Sequence, residues 1–252
     1  MHIIQYISLA IVQGVTEFLP VSSSGHLAIL QKVFNFYQYT ISFDAILHLG
    51  TLIAVLVVFW LDIVKIFKNR DWKIIFWIAL TTIPAAVFGY FFKDQIEQTF
   101  GSLRFVGAAF LFTAIVLLLT VFFKKPDRDL SRFKILDSII IGLSQALALF
   151  PGISRSGMTI SAGLMRKLKP EESYRFSFLL SIPAILGALI LQSNELVSGW
   201  SQNWLYWLIG LIVSFGVGVF CLKLLEKVLK RGKFAYFSMY LILLGGLILV
   251  FS

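Results

Sequence analysis

The sequence predicts an all-α polytopic membrane protein in which six transmembrane helices and two re-entrant helix–loop–helix hairpins form an inverted-topology repeat. Three observations lead to this fold class. The 252 residues are 58% hydrophobic and 14% charged, whereas soluble domains are about a quarter charged. Six runs of 17 to 27 residues carry no charged side chain, and about 20 apolar residues span a bilayer as a helix. A serine-rich motif occurs once in each half of the chain.

The six uncharged runs define the predicted spans. They are placed near 40–62, 73–92, 103–123, 172–191, 203–225 and 233–251. In a soluble protein the net charge of +9 would suggest nucleic-acid binding. Here the basic residues lie between spans, where they set orientation. We therefore expect no nucleic-acid partner.

Basic residues orient the spans through the positive-inside rule. Four loops hold four or five Lys and Arg residues each and are expected in the cytoplasm: 65–73, 124–134, 166–175 and 223–233. Two loops are poor in these residues and are expected outside: 93–104 and 192–203. Because 134–168 starts and ends at cytoplasmic loops, it must enter and leave by one face. Residues 1–35 form a matching hairpin from the opposite face if Met1 is outside, which the charge count leaves open.

An internal repeat supports the second hairpin. Residues 13–25 read QGVTEFLPVSSSG and residues 145–157 read QALALFPGISRSG, and each motif precedes three spans. Two such halves inserted with opposite sense describe an inverted repeat, whose polar sites lie where broken helices meet inside the membrane. The chain is thus predicted to be one membrane domain, 1–252, with repeat 1 at about 1–125 and repeat 2 at about 134–252.

Two charges lie deep in the predicted hairpins, Glu17 in the first and Arg155 in the second. Charges inside a membrane are costly and indicate function. The alternative is a structural ion pair, with serine and glycine only satisfying the backbone of broken helices. Gln13 lies four residues before Glu17, so both side chains project from one helix face.

The residues of the two motifs suggest a division of labour. Serines before a new helix can cap it, and the free N–H groups there attract an anion. The second loop is predicted to hold phosphate through Gly152, Ser154, Arg155, Ser156 and Thr159. The first loop is predicted to add Ser22, Ser24 and Gly25, and to carry chemistry through Glu17, Ser23 and His26. Glu17 and Gln13 are the candidate metal ligands.

Residues elsewhere receive structural interpretations. His48 lies within a span and is interpreted as a packing or hydrogen-bonded histidine. Gly210, Ser214 and Gly218 are spaced four apart, which is typical of a face for close helix contact.

At these two loops the sequence resembles the undecaprenyl-diphosphatase family, bacterial enzymes associated with bacitracin resistance. Gln13 and Glu17 match its Glu/Gln-x-x-x-Glu motif, and 18–26 match the Phe-Leu-Pro-Val-Ser-Ser-Ser/Thr-Gly-His run. Residues 151–159 match Pro-Gly-x-Ser-Arg-Ser-x-x-Thr at every position. Further similar stretches, 43–51 and 175–183, extend the resemblance over essentially the whole chain. Gln13 stands where the motif also allows Glu, which removes one charge from the implied metal site.

The resemblance implies hydrolysis of undecaprenyl diphosphate to undecaprenyl phosphate and phosphate. It implies a polyprenyl diphosphate lipid as partner, a divalent cation (Mg²⁺ or Ca²⁺) as cofactor, and a bacterial plasma membrane location with the site toward the outer face. A homodimer is a candidate assembly. Ser23 is the preferred nucleophile, with His26 and Glu17 moving its proton; direct attack by water or by His26 stays open. A transporter or lipid flippase on the same repeat is the alternative function.

Overall fold

The computed structural model describes residues 3–35, 40–123 and 126–252, with only the backbone described for residues 40 and 193–203. Residues 1–2 of the first predicted hairpin, and Lys124 and Lys125 of the charge count, lie outside these ranges. The described residues contain no β-strand, only one isolated bridge between Arg128 and Leu168. Their α-helices are α1 Ile3–Thr16, α2 Ser23–Val33, α3 Thr40–Val58, α4 Trp60–Lys68, α5 Trp72–Phe91, α6 Lys93–Phe100, α7 Leu103–Leu119, α8 Ile135–Leu147, α9 Arg155–Met165, α10 Pro170–Leu191, α11 Ser193–Lys230 and α12 Phe237–Phe251.

Within the described residues, six helical segments are long and apolar enough to cross a bilayer, with mean hydropathies from 1.8 to 2.6. They are Ile41–Val58, Trp72–Phe91, Leu103–Phe122, Pro170–Leu191, Trp204–Lys230 and Phe234–Phe251. Each overlaps one predicted span, so the all-helical class and the six transmembrane helices are confirmed.

Two predicted span boundaries differ from the helices. The span predicted at 40–62 divides at Phe59 into α3 and α4. The span predicted at 203–225 is part of the much longer α11. An uncharged run marks only the apolar part of a helix. The helix itself can extend beyond that run at either end, because its backbone hydrogen bonds do not require apolar side chains. α11 accordingly continues through Lys223, Lys227 and Lys230.

Large apolar side chains cover the outer surface of the helices. Tyr90, Phe91 and Leu191 are each at least 70% exposed, and many other aliphatic and aromatic side chains are exposed along α5, α7 and α12. A soluble protein rarely exposes contiguous apolar surface of this extent. Together with the six spans, this surface defines a multi-pass membrane protein.

Small residues bring the two central helices, α3 and α11, close together. A Cβ added at Gly210 would lie 2.7 Å from the Phe43 ring, and one at Gly218 would lie 2.6 Å from the Phe18 ring. Ser214, between them, meets Gly50 of α3. The predicted close-contact face of α11 is therefore confirmed, and α3 and Phe18 occupy it.

Two apolar helices are too short to span a membrane. α1 has 14 residues and α8 has 13, which at 1.5 Å per residue is about 20 Å each. α1 packs on α11 and α8 packs on α5. Each is followed by a turn and then by an 11-residue helix, α2 or α9, so both chain segments 3–33 and 135–165 are helix–turn–helix units.

A buried carboxylate ties the two ends of the second unit together. Asp137, which is fully buried, accepts hydrogen bonds from Arg166 Nε at 2.7 Å and Arg128 Nη2 at 2.6 Å, and from the backbone N–H of Lys134 at 2.8 Å. Burial alone would raise the pKa of Asp137, but the two guanidinium groups and the Lys134 N–H hold it below its ordinary value. The ionised form is thus the one that stabilises this junction.

Replacing this carboxylate should destabilise the protein. Asp137→Ala leaves two guanidinium groups facing a buried gap, and removing one partner of a buried ion pair costs about 3–5 kcal/mol. We expect a lower midpoint of thermal unfolding in detergent. Cys221, the only cysteine, is buried, so a thiol-reactive fluorophore reports the unfolding.

Asp129→Ala is the matched control, because Asp129 forms an ion pair with Lys169 in which both side chains are more than 40% exposed, and such pairs contribute at most about 1 kcal/mol. An Asp137→Ala midpoint equal to that of Asp129→Ala would contradict the assignment.

The stabilisation by Asp137 should also depend on pH. Because the pKa of Asp137 is lowered on folding, its contribution to the free energy of unfolding is present above the ordinary aspartate pKa of about 3.9 and is lost as the pH falls further.

Candidate active site

The turns of the two helix–turn–helix units meet in the interior of the protein. A Cβ added at Gly25 would lie 3.0 Å from Gly152 Cα, and one at Gly157 would lie 3.3 Å from Pro20 Cβ. Ser156 Oγ donates a hydrogen bond across the contact to the Leu19 carbonyl at 3.3 Å. The structure therefore brings together the two loops that carry the repeated motif.

The two turns share one local design. Ser22 Oγ accepts a hydrogen bond from Gly25 N at 3.5 Å, and Ser154 Oγ accepts one from Gly157 N at 3.1 Å. Each serine therefore caps the helix that follows. Each also shares a hydrogen bond with the serine two residues on, Ser24 at 3.2 Å or Ser156 at 3.3 Å. The result is two capped helix N-termini beside each other.

The backbone of both turns includes a left-handed conformation. Gly152 has a φ of 91°, and Ser22 has a φ of 71°, which is unfavourable for a residue with a side chain. Thr113 of α7 supports the second turn, because its hydroxyl donates to the Gly152 carbonyl and accepts from Ser154 N, each at 3.2 Å. The strained serine thus lies in the turn that carries Glu17 and His26, a common association with functional sites.

The two deep charges form an ion pair across the junction. Arg155 Nη2 lies 2.8 Å from Glu17 Oε1, and the side chains are only 15% and 7% exposed. Ser23 Oγ donates to Glu17 Oε2 at 2.6 Å, and Gln13 Nε2 donates to the same oxygen at 3.3 Å. The carboxylate therefore joins the arginine of one turn to the serine of the other.

Helix α10 holds the other side of Arg155. Its guanidinium carbon lies 5.8 Å from the centre of the Phe178 ring, a cation–π distance. Nη1 donates to the Ser177 carbonyl at 3.4 Å, and the Ser177 and Thr159 hydroxyls share a hydrogen bond at 2.6 Å. Arg155 has five N–H groups, so these contacts leave donors for a ligand.

His26 is also fixed in place, but by other partners. Its Nδ1 lies 2.7 Å from the Ser22 carbonyl oxygen, and its Nε2 lies 2.6 Å from the Tyr240 hydroxyl. The Phe110 ring packs against it with centroids 5.1 Å apart. The Ser22 contact thus fixes the imidazole, which belongs to α2, against the first turn, while both of its nitrogens bond to groups other than Ser23 and Glu17.

His48, interpreted from the sequence as a packing or hydrogen-bonded histidine, is hydrogen-bonded and also lies near the site. Its Nδ1 donates to the Asp44 carbonyl at 2.7 Å, and its Nε2 lies 3.7 Å from Glu17 Oε2. The Asp44 carboxylate in turn accepts from Gln31 Nε2 at 2.8 Å and 2.9 Å. The sequence signal that could have placed His48 near the site is the general cost of an ionisable residue within a membrane span.

The residues present could supply only part of the ligand set of a divalent cation. Gln13 Oε1 is buried without a hydrogen-bond partner and Glu17 is adjacent, so a carboxylate and a free amide oxygen lie together. Over the described ranges, no group of three or more His, Cys, Asp and Glu side chains could hold a metal. Hard cations such as Mg²⁺ are commonly bound by one or two carboxylates, with phosphate oxygens and water completing the shell.

Fold and site together define a polytopic membrane protein with a buried, ion-paired polar centre suited to phosphate. Comparison with known sequences gives the family: residues 6–247 match the family described as bacitracin resistance protein BacA, and the chain belongs to it. An undecaprenyl-diphosphatase of Carboxydothermus hydrogenoformans is 40% identical over 99% of this chain and 97% of its own length. A protein of the same name from Thermotoga maritima is 41% identical over 92% and 93%, and one from Moorella thermoacetica is 38% identical over 98% and 97%.

The contact between the turns should be sensitive to a single methyl group. In Gly25→Ala the added Cβ would lie 3.0 Å from Gly152 Cα of the other turn and 2.6 Å from Phe110 Cε1, and Phe110 is fully buried. Overpacking of this kind costs about 1–3 kcal/mol, so we expect a lower thermal midpoint in the thiol-reactivity assay.

Gly187→Ala is the matched control, since nothing lies within 4 Å of the added atom and alanine favours a helix over glycine by about 1 kcal/mol. Its midpoint should be unchanged or higher. A Gly25→Ala midpoint equal to that of the control would contradict the close approach of the turns.

Proposed function

We propose that the protein hydrolyses undecaprenyl diphosphate to undecaprenyl phosphate and inorganic phosphate. Family membership and the name shared by the relatives support this reaction. The single observation that carries it in the structure is the junction of Glu17, Arg155 and Ser23, with a guanidinium and a carboxylate-bound hydroxyl in one buried centre.

In this proposal the diphosphate binds where the two turns meet. Arg155 contributes a fork of donors that matches phosphate oxygens. The N-termini of α2 and α9 add backbone N–H groups and a favourable dipole. The further phosphate ligands are proposed to be Ser22, Ser24, Gly25, Gly152, Ser154, Ser156 and Thr159. The prenyl chain stays among lipids, where its apolar surface contributes to binding.

Ser23 is the proposed nucleophile and Glu17 its base. The Ser23 hydroxyl attacks the terminal phosphorus, the new Oγ–P bond forms, and its proton passes to Glu17 Oε2. The bond from phosphorus to the bridging oxygen breaks, and undecaprenyl phosphate leaves with that oxygen and its electron pair. Water then cleaves the phosphoserine, which releases phosphate and regenerates the hydroxyl. Arg155 and the helix N-termini stabilise the charge on the phosphoryl oxygens.

His26 is assigned to the hydrolytic half of the reaction. Its nitrogens bond to Ser22 and Tyr240 rather than to Ser23, which favours Glu17 over His26 as the base for the first step. Attack by His26 itself, or by water directly, gives the same products and is distinguished by experiment below.

A divalent cation, Mg²⁺ or Ca²⁺, is proposed as cofactor. Glu17 and the free amide oxygen of Gln13 would hold it together with the substrate. When bound, it would neutralise phosphate charge and make the phosphorus more electrophilic.

The proposed topology is an inverted repeat with two re-entrant hairpins, 1–35 and 134–168. Matched contacts support it: α1 packs on α11 as α8 packs on α5, while α3 meets α10 and α7 meets α12. A two-fold relation between repeat 1, about 1–125, and repeat 2, about 134–252, would exchange the first two of these pairs and map each of the other two onto itself. With the positive-inside count, this topology orients the site toward the outer face of a bacterial plasma membrane. The transporter alternative is not favoured, because the relatives are named as phosphatases.

The first test is phosphate release from undecaprenyl diphosphate by purified protein in detergent, with and without a chelator. We expect release, and its loss on chelation. Arg155→Ala should lower turnover by at least about 100-fold, the cost of removing a charge-stabilising donor. Arg132 is exposed, so Arg132→Ala is the control and should keep wild-type activity.

A double variant separates catalysis from a purely structural ion pair. Arg155→Ala leaves Glu17 buried without its partner, so instability alone could lower activity. Glu17→Gln with Arg155→Met removes both charges and should recover the thermal midpoint without recovering turnover. Recovered activity would assign the pair to structure only, and absence of phosphate release from the wild type would end the proposed function.

The nucleophile can be identified by trapping. Ser23→Ala should lower turnover by at least about 100-fold, as expected for loss of a reacting group. An acid quench of wild-type protein with substrate labelled in the terminal phosphate should leave label on the serine as an acid-stable ester. Label on His26 would be acid-labile, and near-normal Ser23→Ala activity without any label would indicate direct attack by water.

A further inference from the structure

The contacts of His26 define which of its nitrogens is available for chemistry. A backbone carbonyl only accepts hydrogen bonds, so Nδ1, at 2.7 Å from the Ser22 oxygen, carries a hydrogen. In the neutral ring the lone pair is therefore on Nε2. Any proton transfer or attack by this imidazole must go through Nε2.

The partner of Nε2 comes from the far end of the chain. Tyr240 of α12 places its hydroxyl 2.6 Å from Nε2. Its ring is nearly parallel to the imidazole, at 10° with centroids 5.6 Å apart. His26 is 8% exposed and Tyr240 is 46% exposed. Among the described residues, the Tyr240 hydroxyl is thus the hydrogen-bond partner of Nε2, and Tyr240 is the more exposed residue of the pair.

We propose that Tyr240 is a positioning residue for the phosphatase reaction and acts through His26. A phenol hydroxyl can donate to a neutral Nε2 or accept from a protonated one. It therefore holds the ring in one orientation in both protonation states. This inference rests on the proposed function, and on the contribution of His26 to it.

The hydroxyl can be tested apart from the ring. Phenylalanine keeps the stacking on His26 and removes only the group that bonds to Nε2. Packing alone therefore predicts little effect of Tyr240→Phe, whereas the proposal predicts a specific loss. Tyr236, 65% exposed just before α12, offers a matched control, because Tyr236→Phe removes a phenol hydroxyl that does not contact His26.

The kinetic experiment measures phosphate release from undecaprenyl diphosphate by wild type, Tyr240→Phe and Tyr236→Phe. We expect kcat of Tyr240→Phe to fall about tenfold, the effect of one hydrogen bond to a reacting group, with little change in KM. Tyr236→Phe should match the wild type. Equal kcat for all three proteins would overturn the proposal.

A double-mutant cycle shows whether Tyr240 acts through His26. In the His26→Ala background, Tyr240→Phe should cause no further loss of kcat. A loss as large as in the wild-type background would mean that Tyr240 acts independently of His26 and would overturn the proposal.

Chemical modification gives a readout that needs no turnover. Diethyl pyrocarbonate reacts with a free imidazole lone pair, and mass spectrometry resolves each modified histidine. Tyr240→Phe should raise the rate at His26 about two- to tenfold, while the rate at His48 serves as internal control and stays constant. An unchanged rate at His26 would overturn the proposal. Absence of phosphate release from the wild type would instead end the proposed function.

Discussion

The cost of an unpaired charge in a low-dielectric interior governs the centre of this protein. Glu17 and Arg155 are 138 residues apart in the sequence, yet each side chain is at most 15% exposed. Neither could be buried alone without several kcal/mol of penalty, so each turn requires the other in its position. The ion pair thereby couples the assembly of the two halves to the formation of the proposed phosphate site.

The two turns share one backbone scaffold, and the residues that differ between them determine the chemistry of each turn. The two turns have equivalent serine caps, Ser22 and Ser154, and equivalent serine pairs. At matched positions, however, Ser23 corresponds to Arg155, and His26 corresponds to Met158. One turn thus presents donors for an anion, and the other presents a hydroxyl and an imidazole beside a carboxylate. Two identical turns would have brought like groups together, with no ion pair to offset their burial.

Much of this arrangement could be predicted from the sequence because it follows from local composition. Uncharged runs located the six spans, and the repeated motif located both turns. The sequence could not show what packs against them. Tyr240 and Thr113 lie outside the motifs, and the family-like stretch 175–183 assigned Ser177 no role at the site. These residues reach the site only because α12, α7 and α10 pass beside it. The predicted hydrogen-bonded His48 is confirmed, but its spacing gave no sign of the site, and only the tertiary structure places it 3.7 Å from Glu17.

The same tertiary contacts explain how two short turns inside a membrane protein can hold a fixed geometry. The turns are short and contain a left-handed glycine and a left-handed serine. The serine conformation costs free energy and persists only where the surroundings enforce it. Thr113 holds the Gly152 carbonyl, Phe110 packs on His26, and Phe178 lies under Arg155. Each of these side chains belongs to a helix long and apolar enough to span the bilayer. The spanning helices therefore do more than anchor the chain, since their inner faces set the geometry of the turns on which the phosphate chemistry depends.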